Sequence, residues 1–539
     1  MTTSSLCGTP VLARLALRRD RIMVPAWVYL ILIGVCETAF VFGRLYKSPS
    51  SRAGLAAAGE GNPALLSLYG RLNGTSVGSL TAWRYGVWAA LFAALMAIFI
   101  VIRHTRADEE AGRLELIRSA RVGRHAPMAA AICVAVAANL VLTALLCLAL
   151  PFFGLPAAGS AAFAFAIGTC GLAFTGVSAV AAQVTPGARA ARALAIGVLG
   201  LSFLARALGD SAGLHGPAWL IWALPLGWTE MLSPFDQERW WVLALPLALC
   251  TLGVLAAFAL AARRDLGAGV FADRPGRPAA SGLLRGPLSL AWRLQWPGLA
   301  AWAAGYVVLF AACGAAAKGI GSLLGSSGAL RHEFDRLGGQ PAGQAAIVNA
   351  YLAALMLLAG LAAAAYGVSV VFRLRADETG NLADPVLAGA GGRVRWGLSH
   401  MLVAVTGTAL LLAVAGVATG LGYGLRAGGA GPQAVRMLGA ALAQFPAALV
   451  PVGVAAAAFG LVPDACVAVG WTALGLVVAV SLFGPSLQLS QWILDISPFT
   501  HAPRLPGGVI VSASLASLSA LAVALAALGL TALRQRDIA

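Results

Sequence analysis

Residues able to do chemistry are few in this chain, and their spacing excludes the commonest chemistries. A nucleotide-binding P-loop needs a lysine directly after glycine, placed to reach the phosphates. Neither lysine here, Lys47 or Lys318, follows a glycine. The six histidines (His104, His125, His215, His332, His400, His501) are scattered, and His332-Glu333 lacks a second histidine four residues on. Gly74-Thr75-Ser76-Val77-Gly78 matches the G-x-S-x-G nucleophile pattern, but that pattern works only in a strand–turn–helix elbow. Here it lies between apolar stretches in a chain with 64 glycines, and coincidence is the expected reading. The eight cysteines (Cys7, Cys36, Cys133, Cys147, Cys170, Cys250, Cys313, Cys466) sit mostly inside apolar stretches without a C-x-x-C pair. They read as small packing residues, not a disulfide framework or metal site. No catalytic residues and no bound metal are expected. A membrane-embedded transferase would need clustered carboxylates and histidines, and none cluster.

The dense group of ionisable residues is Arg103–Arg124, RHTRADEEAGRLELIRSARVGR. Asp108, Glu109, Glu110 and Glu115 sit among six arginines, with Leu114, Leu116 and Ile117 as a short apolar face. A solvated connector would explain the charges but not their recurrence. Arg373–Trp396, RLRADETGNLADPVLAGAGGRVRW, repeats the acidic pair as Asp377-Glu378, with Gly380, Asp384 and a basic exit. Acid at the start of a short helix is favoured by the helix dipole, and such a helix offers a surface to a cytoplasmic partner. Pro385 lacks a donor and its ring clashes with the preceding turn. The second segment is therefore expected to be the less helical, and Glu378→Ala milder than change at Glu109 and Glu110.

Composition says what must position these segments. Hydrophobic residues make up 60% of the 539 and charged residues 11%, against about 45–50% and about 25% in soluble domains. Lipid must cover such a surface. A bilayer core about 30 Å thick needs about 20 apolar residues per helix, and stretches of that kind recur throughout. Twelve spans are expected: Val24–Gly43, Tyr85–Ile102, Met128–Phe153, Ser160–Val184, Ala191–Leu208, Trp241–Ala262, Gly298–Ala317, Ala346–Phe372, Ser399–Gly424, Leu438–Leu461, Cys466–Gly484 and Val509–Ala532. The net charge of +16 is spread as short clusters between spans, which argues against nucleic acid. Arg14, Arg18, Arg19 and Arg21 precede a span too long for a signal peptide, so an uncleaved anchor is expected. Most basic residues fall on the N-terminal side, which orients both termini to the cytoplasm.

The two halves echo each other. Arg106-Ala107-Asp108-Glu109 recurs as Arg375-Ala376-Asp377-Glu378, Ser233-Pro234-Phe235 as Ser497-Pro498-Phe499, and Arg264-Asp265-Leu266 as Arg536-Asp537-Ile538. Three markers in order at nearly constant offset imply one duplication. Six spans return the chain to its starting side, so the repeats are parallel. The expected fold is an all-α polytopic membrane protein of two six-helix halves, 1–270 and 285–539, joined by a cytoplasmic linker at 271–284.

RADEEAGRLELIRSARVGR resembles the E-E-x-G-x-x-E stretch between the second and third helices of type-2 ATP-binding-cassette export permeases. In that class the stretch is the coupling helix that docks on the ATPase subunit. The resemblance implies this role for Asp108, Glu109, Glu110, Gly112 and Glu115, and more weakly for Asp377, Glu378, Gly380 and Asp384. Asp384 in place of glutamate, followed by Pro385, departs from the usual form. The duplicated layout is similar to the fused exporters of polyketide antibiotics, the tetronasin-resistance permeases among them. It implies two copies of a separate ATPase holding ATP and magnesium, no cofactor in this chain, and a lipophilic or amphipathic cargo on a path between the halves.

Gly8–Met23 and Arg285–Pro297 combine basic and apolar residues as interfacial helices do, or as ordinary positive-inside anchors do. The Trp-rich segments Pro217–Arg239 and Leu487–Pro506 read as short re-entrant helices at the outer leaflet, as in that permease class, or as an aromatic belt. Glu37, an ionisable residue inside a span, is the candidate for the substrate path, or, being near the outer end of its span, a side chain that reaches the interface. G-x-x-x-G pairs such as Gly416 and Gly420 indicate close helix packing only. The alternative is an ion- or proton-coupled secondary transporter, which would need embedded ionisable relays; Glu37 stands nearly alone.

Overall fold

A computed structural model describes residues 3–60, 63–211, 219–264, 286–326, 344–389, 392–484, 489–509 and 511–536, with four single positions between 265 and 285. The chain divides into two compact units, Met1–Gly276 and Arg277–Ala539. Most of the expected linker lies outside the described residues, as do His215, His332-Glu333 and the second and third residues of both Arg-Asp-(Leu/Ile) markers. Among the described residues all regular elements are helical.

The first unit contains α1 (Thr9–Arg19), α2 (Met23–Leu45), α3 (Pro49–Glu60), α4 (Pro63–Tyr69), α5 (Val77–His104), α6 (Arg106–Glu110), α7 (Arg113–Arg118), α8 (Ala126–Ala149), α9 (Ala157–Val184), α10 (Ala188–Ser211), α11 (Trp219–Ala223), α12 (Pro225–Met231) and α13 (Ala244–Arg263). A helix of 28 residues such as α9 is about 42 Å long at ~1.5 Å per residue, enough to cross a bilayer core. α9 is the hub, packed against α5, α8 and α13. Its apolar window is 78% buried against 17% for α13, so α13 keeps a broad apolar face for lipid. Hub and rim meet at glycine. A Cβ on Gly253 would lie 2.8 Å from the Gly176 carbonyl carbon, so only glycine allows this approach of α9 and α13.

The second unit contains α14 (Pro287–Ser326), α15 (Gln344–Thr379), α16 (Asp384–Leu387), α17 (Arg393–Ala427), α18 (Ala430–Leu442), α19 (Phe445–Leu461), α20 (Cys466–Phe483), α21 (Gln491–Leu494) and α22 (Ser512–Gln535). Helix α17 packs on α14, α15 and α18, and α19 packs on α22. Gly416 and Gly420 face the backbone of α18, where a Cβ would come within 2.6 Å of Met437 O and 2.5 Å of Gln433 O.

Among the described residues, eleven helices are long and apolar enough to span a membrane, and a shorter apolar helix, Cys466–Leu482, occupies the place of the eleventh expected span. The tenth expected span, Leu438–Leu461, lies within Ala430–Leu461 and is made of α18 and α19. A short turn at Ala443 and Gln444, both still in right-handed helical backbone, separates α18 from α19, and Pro446 stands in the first turn of α19. One expectation in this region needs correction. Arg285–Pro297 is not a separate interfacial helix, because α14 runs unbroken through Pro297. The N-terminal counterpart is separate: α1 stops at Asp20 before α2 starts. Ser76, in the chance G-x-S-x-G match, is a helix cap. Its Oγ accepts from Ser79 N at 3.0 Å at the start of α5, and no strand precedes it among the described residues.

Candidate functional site

The Arg103–Arg124 segment is broken where glycine allows. α5 ends at Thr105, whose φ of −117° and ψ of −87° are not helical. α6 follows for one turn. Gly112 then takes the left-handed conformation, φ 68°, and starts α7. The expected continuous docking helix is thus two short helices. The second segment is broken as well: α15 runs to Thr379, and the chain turns through Asn381 at φ 54° into α16. Leu382 N donates to Asp377 O at 2.8 Å and closes that turn. Pro385 lies in the first turn of α16, where its missing N–H has no partner to lose, so it starts a helix instead of interrupting one.

The acids divide by direction. Asp108 is buried, and its carboxylate accepts from Arg19 at 2.8 Å and Arg113 at 2.9 Å. The hydrogen bond to Asp108 holds the Arg19 guanidinium above its ordinary pKa, against the opposing effect of burial. Asp20, at the end of α1, meets His104 at 2.6 Å and Arg103 at 3.2 Å, and so fastens α1 to the end of α5. Glu109 lies between Arg106, at 2.8 Å, and the fork of Arg264, whose two terminal nitrogens each approach one carboxylate oxygen at 2.8 Å. Arg264 also donates to Gln183 Oε1 at 2.7 Å, and Arg106 to Pro186 O. Arg124 donates to Ala261 O at 3.1 Å and to Ala262 O and Arg264 O at 3.3 Å, capping the end of α13. Beside these groups lies a half-open cavity of about 310 Å³ lined by Glu109, Leu114, Arg124, Met128, Gln183 and Arg264.

The second unit repeats the pattern with its own residues. Glu378 is buried between Arg375, at 3.2 Å, and Arg536. Arg375 reaches Asp464 at 2.7 Å in the turn after α19, and Arg393 donates to Arg536 O at 2.6 Å. Asp377 pairs with Arg373 at 2.9 Å. Outward lie Glu110, Glu115 and Leu116, which is 76% exposed. Gly380, Leu382 and Asp384 do the same in the second segment. Of the expected docking residues, then, Asp108, Glu109, Asp377 and Glu378 hold their own unit together, and Glu110, Glu115 and Asp384 face outward.

Glu37 is exposed on α2, with Tyr85 as its polar neighbour. It does not stand alone as an ionisable group near the apolar spans. At the other end of the first unit, fully buried Arg206 approaches Asp210 at 3.2 Å and Glu230 at 2.8 Å, and Arg71 approaches Asp210 at 3.3 Å. Sequence reading missed this cluster because its members lie in three segments: the loop before α5, the end of α10, and α12. An arginine inside the fifth expected span was the available signal. The Trp-rich segment containing Glu230 does form short helices, α11 and α12, and α21 lies in its second-unit counterpart.

Residues 284–534 match the family described as "Multidrug efflux system permease Rv1217c, C-terminal domain". The chain is 40% identical over 537 residues to the multidrug efflux system permease protein Rv1217c of Mycobacterium tuberculosis, covering 99% of this chain and 96% of the relative. Similarity at that level from end to end, in a chain built of membrane-length helices, leaves one assignment: the protein belongs to the multidrug efflux system permease family.

Proposed function

We propose that the chain is the permease subunit of an ATP-driven exporter and works with two copies of a separate ATPase that binds ATP and magnesium. The observation that carries the reading is end-to-end similarity to a multidrug efflux permease in a chain without a nucleotide-binding lysine motif. The outward acids and leucines of the two connecting segments are the docking surface in this reading. The recurrence of the Arg–Glu–Arg grouping in both units supports two parallel repeats. The excess of arginine at the segment ends favours a cytoplasmic position for them and for both termini, in a bacterial cell membrane.

The energy source is tested first. The purified chain is expected to show no ATP hydrolysis, and hydrolysis and export from vesicles should appear with a co-expressed P-loop partner. One observation favours the rival, a proton-coupled carrier: the buried carboxylates Asp210 and Glu230 could carry a proton. Export that persists without ATP and collapses with the proton gradient would establish that rival. Topology is tested independently. Cysteines placed at Glu110 and Asp384 are expected to be labelled only from the cytoplasmic face, and labelling from opposite faces would exclude parallel repeats.

The proposed cargo is lipophilic or amphipathic, in the manner of polyketide antibiotics. Glu37, exposed on an apolar helix, is the residue expected to discriminate among such compounds. Glu37→Gln should change which compounds cells resist at unchanged protein level. An unchanged resistance profile would remove Glu37 from the substrate path.

A further inference from the structure

In both units one glutamate of the connecting segment meets one arginine at the end of the last helix. Glu109 is 5% exposed and Arg264 12%, so the pair is largely withdrawn from water. At the far end of the same segment Arg124 donates to the last carbonyls of α13. Residues between 109 and 124 are therefore tied to α13 twice, once by an ion pair and once by a helix cap. In the second unit Glu378 meets Arg536, and Arg393 caps the carbonyl of that same Arg536, just after α22. A third tie, from Arg106 to Pro186 O and from Arg375 to Asp464, reaches the turn after the fourth long helix of each unit. The intervening sequences, GRLELIRSA in one and LADPVLAGA in the other, differ widely, and yet the tying residues are alike. Desolvating charge is unfavourable unless the partner is held in good geometry. A solvated connector would have no use for it.

We infer that Glu109 and Glu378 are positioning residues for energy coupling, joining each connecting segment to the last helix of its unit so that the two move as one body. A push on the outward turn, at Glu110, Glu115 and Leu116 or at Leu382 and Asp384, then reaches a membrane-crossing helix directly. The inference rests on the ATP-driven reading above and adds to it which helix receives the motion.

The test is the amount of compound exported per ATP hydrolysed by the permease reconstituted with its ATPase, for the unaltered chain, Arg264→Gln and Arg264→Lys. Arg264→Gln should capture the ATPase and hydrolyse ATP normally while the export ratio falls at least about fivefold, the lower end of usual coupling effects. Arg264→Lys keeps the charge and should restore most of the ratio. A role in folding alone would lower the amount of complex and leave the ratio unchanged, and that result overturns the inference. If the unaltered chain captures no ATPase, both readings fall. A second arm does not depend on the stability of Arg264→Gln. Cysteines at Leu114 and Ala261, which line the same cavity, are joined by a cleavable crosslinker, with exposed Cys7 and Cys133 changed to serine. Two parts of one body can be joined without harm, so export should persist. Loss of export on joining, reversed by cleavage, overturns the inference whatever Arg264→Gln does.

Discussion

Glu109→Ala is expected to destabilise the first unit by about 3–5 kcal/mol and to abolish export, because it leaves Arg106 and Arg264 buried without their shared carboxylate. Glu110→Ala with Glu115→Ala should do the opposite. Both side chains face outward, so thermal stability in detergent should stay within about 0.5 kcal/mol, while capture of the ATPase weakens. Glu378→Ala should be as severe as Glu109→Ala and not milder, since its side chain is 3% exposed and accepts from two arginines. The milder expectation came from Pro385, which lies after the turn and never enters the ion pair. Melting curves, pull-down and export measured on the same preparations separate these outcomes. If Glu109→Ala melts like the unaltered chain while losing its ATPase, Glu109 is a docking residue and the division of the acids by direction is wrong.

Arg206→Ala is expected to have the other large effect, about 3–5 kcal/mol of lost stability. Arg206 has no exposed surface and lies between Asp210 and Glu230. Its terminal nitrogen also donates to Ser67 O, so one side chain fastens α10 to both α12 and α4. Removing it leaves two buried carboxylates facing each other, with Arg71 at the rim. Arg206→Ala combined with Asp210→Ala and Glu230→Ala should lose less than the sum of the three single changes, because the triple variant leaves no charge fully buried, and Arg71, which loses Asp210, is part-exposed. Additive losses in the melting temperatures would mean that the three residues act independently and that the short distances carry no coupling.

The sequence by itself determined the solvent and the element type, and it pointed to a drug-export permease, the family that the relative shares. Sixty per cent apolar residues in stretches of membrane length leave lipid as the covering and helix as the element, because a lipid-exposed backbone must satisfy its hydrogen bonds within the segment. The two acidic segments and their recurrence were equally legible, since charge between apolar runs is visible without any fold. Direction was not. Asp108, Glu109 and Glu110 are consecutive, and on a short helical turn neighbours point to different sides. Which side is protein depends on Arg19 and Arg264, 89 and 155 residues away in sequence. Tertiary structure also decided where helices break: Gly112 and Asn381 take left-handed backbone that composition permits but does not require. It alone assembled Arg71, Arg206, Asp210 and Glu230, whose charges look like ordinary span edges until packing removes them from water and makes pairing obligatory.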